Sequence, residues 1–278
     1  METAIVIDSS IQFPAKWYDL YHIYPIGYVV RDSDGNKHLE RETITALKTE
    51  ELRELLIKDK NAELLAPSVK DFVELYTFLS ENFEHVISVH SSLFTPAVFE
   101  NAILAKKLVS EVTIDIIDTH TFAAASSLFM DYLSHTTLAA QKINDIRKAA
   151  ISYDKYIQAF IIAKNDLLNI VGIRKTTWLT GLTVAFRPNV LYNYYQSQWK
   201  ELARSRSTKR LINEINTRIN LFEKVKEPVK VYMCGEGESL KLKESFIGLF
   251  EGLKIVEVEP SLVSSYLLNH DFFSIAIF

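Results

Sequence analysis

The segment HVISVHSSLFTPAVFENAILAKKLVSEVTIDIIDT, residues 85–119, decides the fold class. Its opening run, His85 to Val89, is β-rich and suits a buried strand. Thr95 and Pro96 then suit an N-cap and a first helical position, because the first turn of a helix leaves its N–H groups unused and Pro has none to lose. Phe99, Ala102, Ile103 and Leu108 follow along the predicted helix, and Val112 to Ile117 returns to a strand that stops at Asp118 and Thr119. Two strands joined through a helix of this length imply a right-handed crossover, so they belong side by side in a parallel sheet.

The same grammar extends outward. Upstream, Ala4 to Ile7 reads as a buried strand closing on Asp8, Ser9 and Ser10, and Ile23 to Val30 as an extended piece before the Asp34-Gly35 turn. Glu50 to Lys58 suits a helix. Pro67, Ser68 and Asp71 make a helix start, with Ser68 as N-cap ahead of Phe72, Leu75, Tyr76 and Leu79. Downstream come a helical stretch from Phe122 to Ile151, apolar runs at Leu167 to Ile173 and Leu182 to Phe186, and a basic cluster from Arg204 to Arg210 leading into a helix. A strand at Val229 to Met233, a helix at Leu240 to Leu253 and a strand at Phe273 to Phe278 close the chain. The expectation is an α/β protein of two domains with a ligand cleft between them. Residues 1–152 form a Rossmann-like, mainly parallel sheet flanked by helices, and residues 153–278 a second α/β domain.

Composition narrows the function. Thirty-one Lys and Arg against 35 Asp and Glu leave a net charge of −4 over 278 residues, so there is no basic surplus for a nucleic-acid partner. Hydrophobic residues at 48% and charged residues at 24% fit a chain folded throughout. A single cysteine, Cys234, excludes an intramolecular disulfide and a thiolate metal cluster. Eight glycines weaken any reading that needs a Gly-rich phosphate cradle. The start METAIVIDSS has no basic, apolar leader, and no run approaches the ~18 apolar residues of a membrane span, so a cytoplasmic protein without membrane insertion is expected.

Three predicted strands end on polar groups: Asp8, Ser9 and Ser10; His90, Ser91 and Ser92; Asp118 and Thr119. Ligands of open parallel sheets bind beyond the carboxyl ends of the strands. Ser91, Ser92 and Thr95, with the open N–H groups of the helix start, suit one anion such as a carboxylate. Each hydroxyl equally suits a plain helix cap. His90 with Ser91 or Ser92 and Asp118 or Asp8 offers a nucleophile, base and orienting acid, so a serine hydrolase or esterase stands as the alternative, although no Gly-x-Ser-x-Gly elbow is present. Gly235-Glu236-Gly237 lacks the third glycine of a dinucleotide fingerprint and reads as a strand-to-helix turn. No His-Glu-x-x-His pair or calcium-like Asp set occurs, and neither metal nor cofactor is expected.

Several segments, in order, resemble the DegV family of bacterial fatty-acid-binding proteins, which includes the lipid-binding subunit of fatty-acid kinase. Ile5-Val6-Ile7-Asp8-Ser9-Ser10-Ile11-Gln12-Phe13-Pro14 is similar to the family's opening, and Pro25 with its extended run to its second strand. Pro67-Ser68 with Phe72 resembles the tail of a Thr-Ser-Gln-Pro-Ser segment, and Ser91-Ser92 through Ala102 a Ser-Ser-x-Leu-Ser-Gly-Thr-Tyr-x-Ser-Ala stretch. Ile117-Asp118-Thr119, Arg187-Pro188 and Arg206-Ser207-Thr208-Lys209 resemble Ile-Asp-Ser, Lys-Pro and Arg-Thr-x-Lys.

The resemblance implies a non-catalytic carrier holding one long-chain fatty acid between two domains, with a fatty-acid kinase subunit as a further partner. Its carboxylate would lie at Ser91 and Ser92, with Thr95, Asp8, Ser9, Ser10, Ser68, Asp118, Arg187 and Arg206 around the site. Two departures stand out. Leu64-Leu65-Ala66 replaces Thr-Ser-Gln, removing a hydroxyl, and the His-x-Gly-Pro-Gly tied to a phosphorylated head group falls on Leu267 to Asp271, with neither glycine and with its histidine displaced to His270. A carrier of another small amphipathic carboxylate is a further alternative.

Overall fold

The computed structural model describes residues 3–14, 16–40, 46–139, 143–153, 157–164, 188–223, 230–250 and 252–278. A four-stranded, wholly parallel sheet forms from β1 (Thr3–Asp8), β2 (Ile23–Ile26), β6 (His85–His90) and β7 (Thr113–Asp118), in the order β2-β1-β6-β7. β1 is buried along its whole length. It sits inside the sheet with helices on its faces, which is why Ala4 to Ile7 reads as a run and not an alternation. The helices of this half are α1 (Lys16–Leu20), α2 (Ala46–Lys58), α3 (Val69–Ser80) and α4 (Pro96–Lys106). Ser68 and Asp71 make the expected reciprocal capping box at the start of α3, which buries Phe72, Tyr76 and Leu79.

The expected extended piece from Ile23 to Val30 is two strands in two sheets. β2 ends at Ile26, and β3 (Val29–Arg31) joins β4 (Lys37–Leu39) and β5 (Glu63–Leu65) in a small antiparallel sheet, ordered β4-β3-β5. Gly27 makes the break: a Cβ there would lie 2.2 Å from the Glu40 carbonyl oxygen, so only glycine lets the two segments approach. The Asp34-Gly35 turn joins β3 to β4 as expected, with Gly35 at φ +85°.

The long helical stretch is α5 (Ala124–Ala139) and α6 (Ile143–Ser152). Beyond it, six strands form a second sheet: β8 (Gln158–Ala163), β9 (Asn189–Tyr195), β10 (Gln198–Ser205), β11 (Lys230–Glu236), β12 (Lys254–Glu257) and β13 (Phe272–Ile277). Their order is β10-β9-β8-β13-β11-β12, and every pair except β11 with β12 is antiparallel. α7 (Thr208–Glu223) packs against β10. The single helix expected over Leu240 to Leu253 is instead a 3₁₀ turn at Gly237–Leu242, α8 (Lys243–Ile247) and a second 3₁₀ turn at Gly248–Phe250, ending before Gly252 at φ +88°. α9 (Leu262–Leu267) precedes β13. The apolar runs expected at 167–173 and 182–186 lie outside the described residues.

One core joins the two sheets. Ile5, Ile7 and Val89 of the parallel sheet share a continuous cluster with Phe129 and Leu133 of α5, Tyr192 and Tyr194 of β9, and Phe272 of β13. A smaller core, from Phe160 and Leu211 to Phe246 and Phe273, lies on the other face of the second sheet. No described helix is long and apolar enough to cross a membrane.

Candidate functional site

The three polar strand ends do come together, but most of their groups satisfy one another. Asp8 and His90 are fully buried, with Asp8 Oδ2 2.7 Å from His90 Nδ1. His90 Nε2 lies 2.7 Å from Ser88 Oγ, and the Tyr76 hydroxyl donates to Ser88 Oγ at 2.7 Å. Burial pushes the Tyr76 hydroxyl pKa well up, so it stays a donor. Ser88 thus links the Tyr76 hydroxyl to the Nε2 edge of the imidazole, and the Nδ1–H faces Asp8. Asp8 Oδ1 also accepts the Ser10 N–H at 3.0 Å.

This order of Ser, His and Asp resembles a nucleophile relay, yet Ser88 is buried within β6, against the Tyr76 hydroxyl. The hydrolase alternative needs His90 beside Ser91 or Ser92. Both ring nitrogens are instead taken by Asp8 and Ser88, which removes that arrangement.

Ser9 likewise turns inward and donates to the buried Glu40 carboxylate, whose same oxygen accepts the Tyr28 N–H at 3.1 Å. Burial raises the Glu40 pKa above the ordinary carboxylate range, against the opposing pull of the Ser9 and Tyr28 bonds.

The turn from β6 into α4 behaves differently. The Ser91 carbonyl accepts both the Thr95 N–H at 2.9 Å and Thr95 Oγ1 at 2.8 Å. Thr95 is thus the residue before α4, as expected, but its side chain does not cap the helix; the hydroxyl is used on the preceding turn. Asp118 Oδ1 accepts the Ser92 N–H at 3.0 Å and the His120 N–H at 3.2 Å, so the end of β7 fixes this loop from the side. Ser91 Oγ is buried and has no hydrogen-bond partner among the described residues.

Beside that turn lies a pocket of about 180 Å³. Thr95, Tyr28 and Tyr266 are its hydroxyl-bearing residues, and Leu64, Ala66, Phe94, Val98, Val263 and Leu267 are among its apolar walls. Burial, reinforced by the Asp8 charge, keeps the Tyr28 hydroxyl protonated, and it reaches Asp8 Oδ1 at 3.5 Å. Phe94 stacks on Phe122 at 4.5 Å between ring centroids and meets Trp199 edge-on at 5.8 Å, which ties the wall to the second sheet. The Asn101 side chain donates to the Pro67 carbonyl at 2.9 Å, holding the segment after β5 against α4.

Of the residues singled out in the sequence, only Thr95 lines this pocket. Ser91 and Ser92 form the adjoining turn, and Asp118 braces it. Asp8, Ser9 and Ser10 sit one layer deeper, with Asp8 and Ser9 in bonds to neighbouring side chains. Ser68 is exposed and its hydroxyl belongs to the capping box of α3. Arg206 is exposed between β10 and α7, away from the pocket lining. Arg187 lies outside the described residues. Tyr28, Phe94, Val263 and Leu267 carry no local signal in the sequence, because nothing marks a tyrosine in a strand or an apolar residue in a short helix as pocket wall. No group of three or more metal-ligating side chains occurs among the described residues.

The fold and this site define an α/β protein of two packed sheets with a small, mostly apolar pocket whose polar end is made of hydroxyls. The chain belongs to the DegV family: residues 2–277 match the family described as an uncharacterised protein, DegV family. A DegV domain-containing protein of Staphylococcus aureus strain MRSA252 is 21% identical over 188 residues, and the match spans 66% of this chain and 65% of that relative's length. Among solved structures, DegV from Bacillus subtilis, described as a fatty acid binding protein, superposes with a TM-score of 0.80 at 16% identity, covering 100% of this chain and 99% of the other. A stearic acid-binding protein from Eubacterium ventriosum gives a TM-score of 0.80 at 16% identity over 99% and 97% of the two chains.

Proposed function

We propose that this protein is a non-catalytic carrier that holds one long-chain fatty acid, with its carboxylate at the turn from Ser91 to Thr95 and its tail between the first half of the chain and α9. The observation that carries the reading is the buried, unpartnered Ser91 hydroxyl in the turn that adjoins a mostly apolar pocket; the Thr95 and Tyr28 hydroxyls there already donate to the Ser91 carbonyl and to Asp8. A carboxylate is the complement of such a free donor. The fatty-acid ligands of structurally similar family members support it.

Energetics favour an amphipathic ligand over a small anion. A tail of about fourteen methylenes at ~0.8 kcal/mol each contributes on the order of 11 kcal/mol before ordering costs. The absence of a hydroxyl where Leu64-Leu65-Ala66 stands costs only about 0.5 to 1.5 kcal/mol. The pocket volume is below the roughly 300–1,000 Å³ common for small-molecule sites, so it takes only the part of the tail next to the carboxylate. The reading includes a two-domain division near residue 152, a cytoplasmic location and a fatty-acid kinase as recipient of the bound lipid.

The decisive experiment is native mass spectrometry of the purified protein, followed by delipidation and titration with acids of increasing length. A co-purifying fatty acid and affinity that climbs with chain length are expected. Apo protein that takes up neither palmitate nor oleate overturns the reading, and binding that is flat with length points to a shorter carboxylate. Ala66→Trp, which fills the pocket, is expected to abolish uptake in the same titration.

A further inference from the structure

Two walls of the pocket come from distant parts of the chain: Leu64 and Ala66, in and just after β5, and Val263, Tyr266 and Leu267 from α9. They are held together through α2. Leu52 and Leu56 of that helix form a separate small core with Val30, Ala62 and Leu262, at the N-terminal end of α9.

One polar tie runs across the same seam. Arg53 of α2 donates from Nη2 to the Pro260 carbonyl at 2.8 Å, two residues before α9 begins. Its Nε lies 3.7 Å from Glu236 Oε1, an ion pair without a hydrogen bond, and its Nη1 reaches Glu50 at 2.6 Å within α2. The Arg53 side chain is only 12% exposed.

Glu236 gathers the rest of α9. It accepts from Ser265 Oγ inside the helix and faces His270 Nδ1 at 3.3 Å just beyond it. Asn269 and His270 adopt φ of +54° and +56°, and a Cβ on Gly237 would lie 2.5 Å from the His270 carbonyl oxygen. The turn after α9 is thus pressed against the end of β11. Pro260, Ser265 and His270 place α9 from its start, middle and end, and all three lead to the Arg53–Glu236 pair.

We propose that Arg53 is a positioning residue that governs ligand exchange: through Pro260 and Glu236 it keeps α9 against the β3–β5 sheet, and loosening that tie widens the passage between the two walls. This rests on the pocket being a ligand site. A tie of this kind is a gate, so loosening it speeds entry and exit alike, whereas damage to the pocket wall speeds exit alone.

The test is stopped-flow binding and release of cis-parinaric acid, a fluorescent fatty acid, with wild type, Arg53→Gln and Arg53→Lys. Arg53→Gln is expected to raise both rates by a similar factor, about fivefold or more, and Arg53→Lys, which keeps the charge, to return them toward wild type. Unchanged rates overturn the proposal, as does a faster release with an unchanged association rate. Should Arg53→Gln fail to fold, Glu236→Gln must show the same paired rise or the proposal falls. Amide hydrogen exchange without lipid provides a separate arm: faster exchange over residues 63–65 and 262–267 in Arg53→Gln supports the tie even if no protein binds parinaric acid, a result that would sink only the fatty-acid reading. Unchanged exchange in both segments overturns the tie itself.

Discussion

Asp8 shows how a residue that looks like a ligand contact becomes a structural one. Its two oxygens serve the His90 Nδ1–H, the Ser10 N–H and the Tyr28 hydroxyl, and the side chains of Asp8 and His90 are fully buried. Asp8→Ala leaves these buried donors without their acceptor, so a loss of about 3 kcal/mol is expected, against a smaller loss for Asp8→Asn, which keeps one oxygen. Thermal unfolding reads this as a drop of roughly 5 to 10 °C for a chain of this size; a drop under a degree would mean that the pair contributes nothing net. Ser91 is the opposite case. Its hydroxyl has no partner among the described residues, so Ser91→Ala is expected to leave stability within about 0.5 kcal/mol of wild type. Fatty-acid affinity should fall about two- to tenfold in calorimetric titration, the worth of one hydroxyl bond. Equal affinity in the variant would remove Ser91 from the site.

Gly27 sets where one sheet stops and another begins. Adding a Cβ 2.2 Å from the Glu40 carbonyl oxygen forces β4 away and, with it, the Glu40 carboxylate that Ser9 and Tyr28 both bind. Gly27→Ala is therefore expected to destabilise by about 1 to 3 kcal/mol, as overpacked cores do, seen as a lower midpoint in urea unfolding. Such a position separates what a sequence can disclose from what it cannot. The strands and helix of residues 85–119 are legible because their signals are local: an apolar run, Thr95 and Pro96, another apolar run. The break at Gly27 is not, because its cause is a residue thirteen positions away. The hydroxyls at the strand ends are legible as a group. Which of them face the pocket is not, since Ser9 is claimed by Glu40 and Ser68 by Asp71 through folding alone.

The molecule as a whole is joined at two kinds of seam. Between the sheets the seam is mainly apolar, running through Phe94, Phe122 and Trp199, with the Asp131–Lys230 ion pair between α5 and β11 beside it. Between α2 and the C-terminal half, the small apolar cluster around Leu262 is supplemented by the Glu236 carboxylate. Burial by itself would raise the pKa of that carboxyl, but the bonds from His270 and Ser265 and the Arg53 charge outweigh it and hold it below the ordinary value of 4.5. A carboxyl whose folded pKa is depressed contributes stability that is fully present above its unfolded pKa and is lost as the pH falls through the folded one. Glu236→Gln is therefore expected to be less stable than wild type by about 1 to 2 kcal/mol at pH 7, the worth of charge-assisted bonds. That gap should narrow once the pH drops below about 4.5 and close at lower pH, where wild type has also lost the charge. Paired urea titrations of the two proteins at pH 7, 5 and 3.5 measure it. A gap that stays constant across that range would mean that the shape of the side chain, and not its charge, holds the second seam.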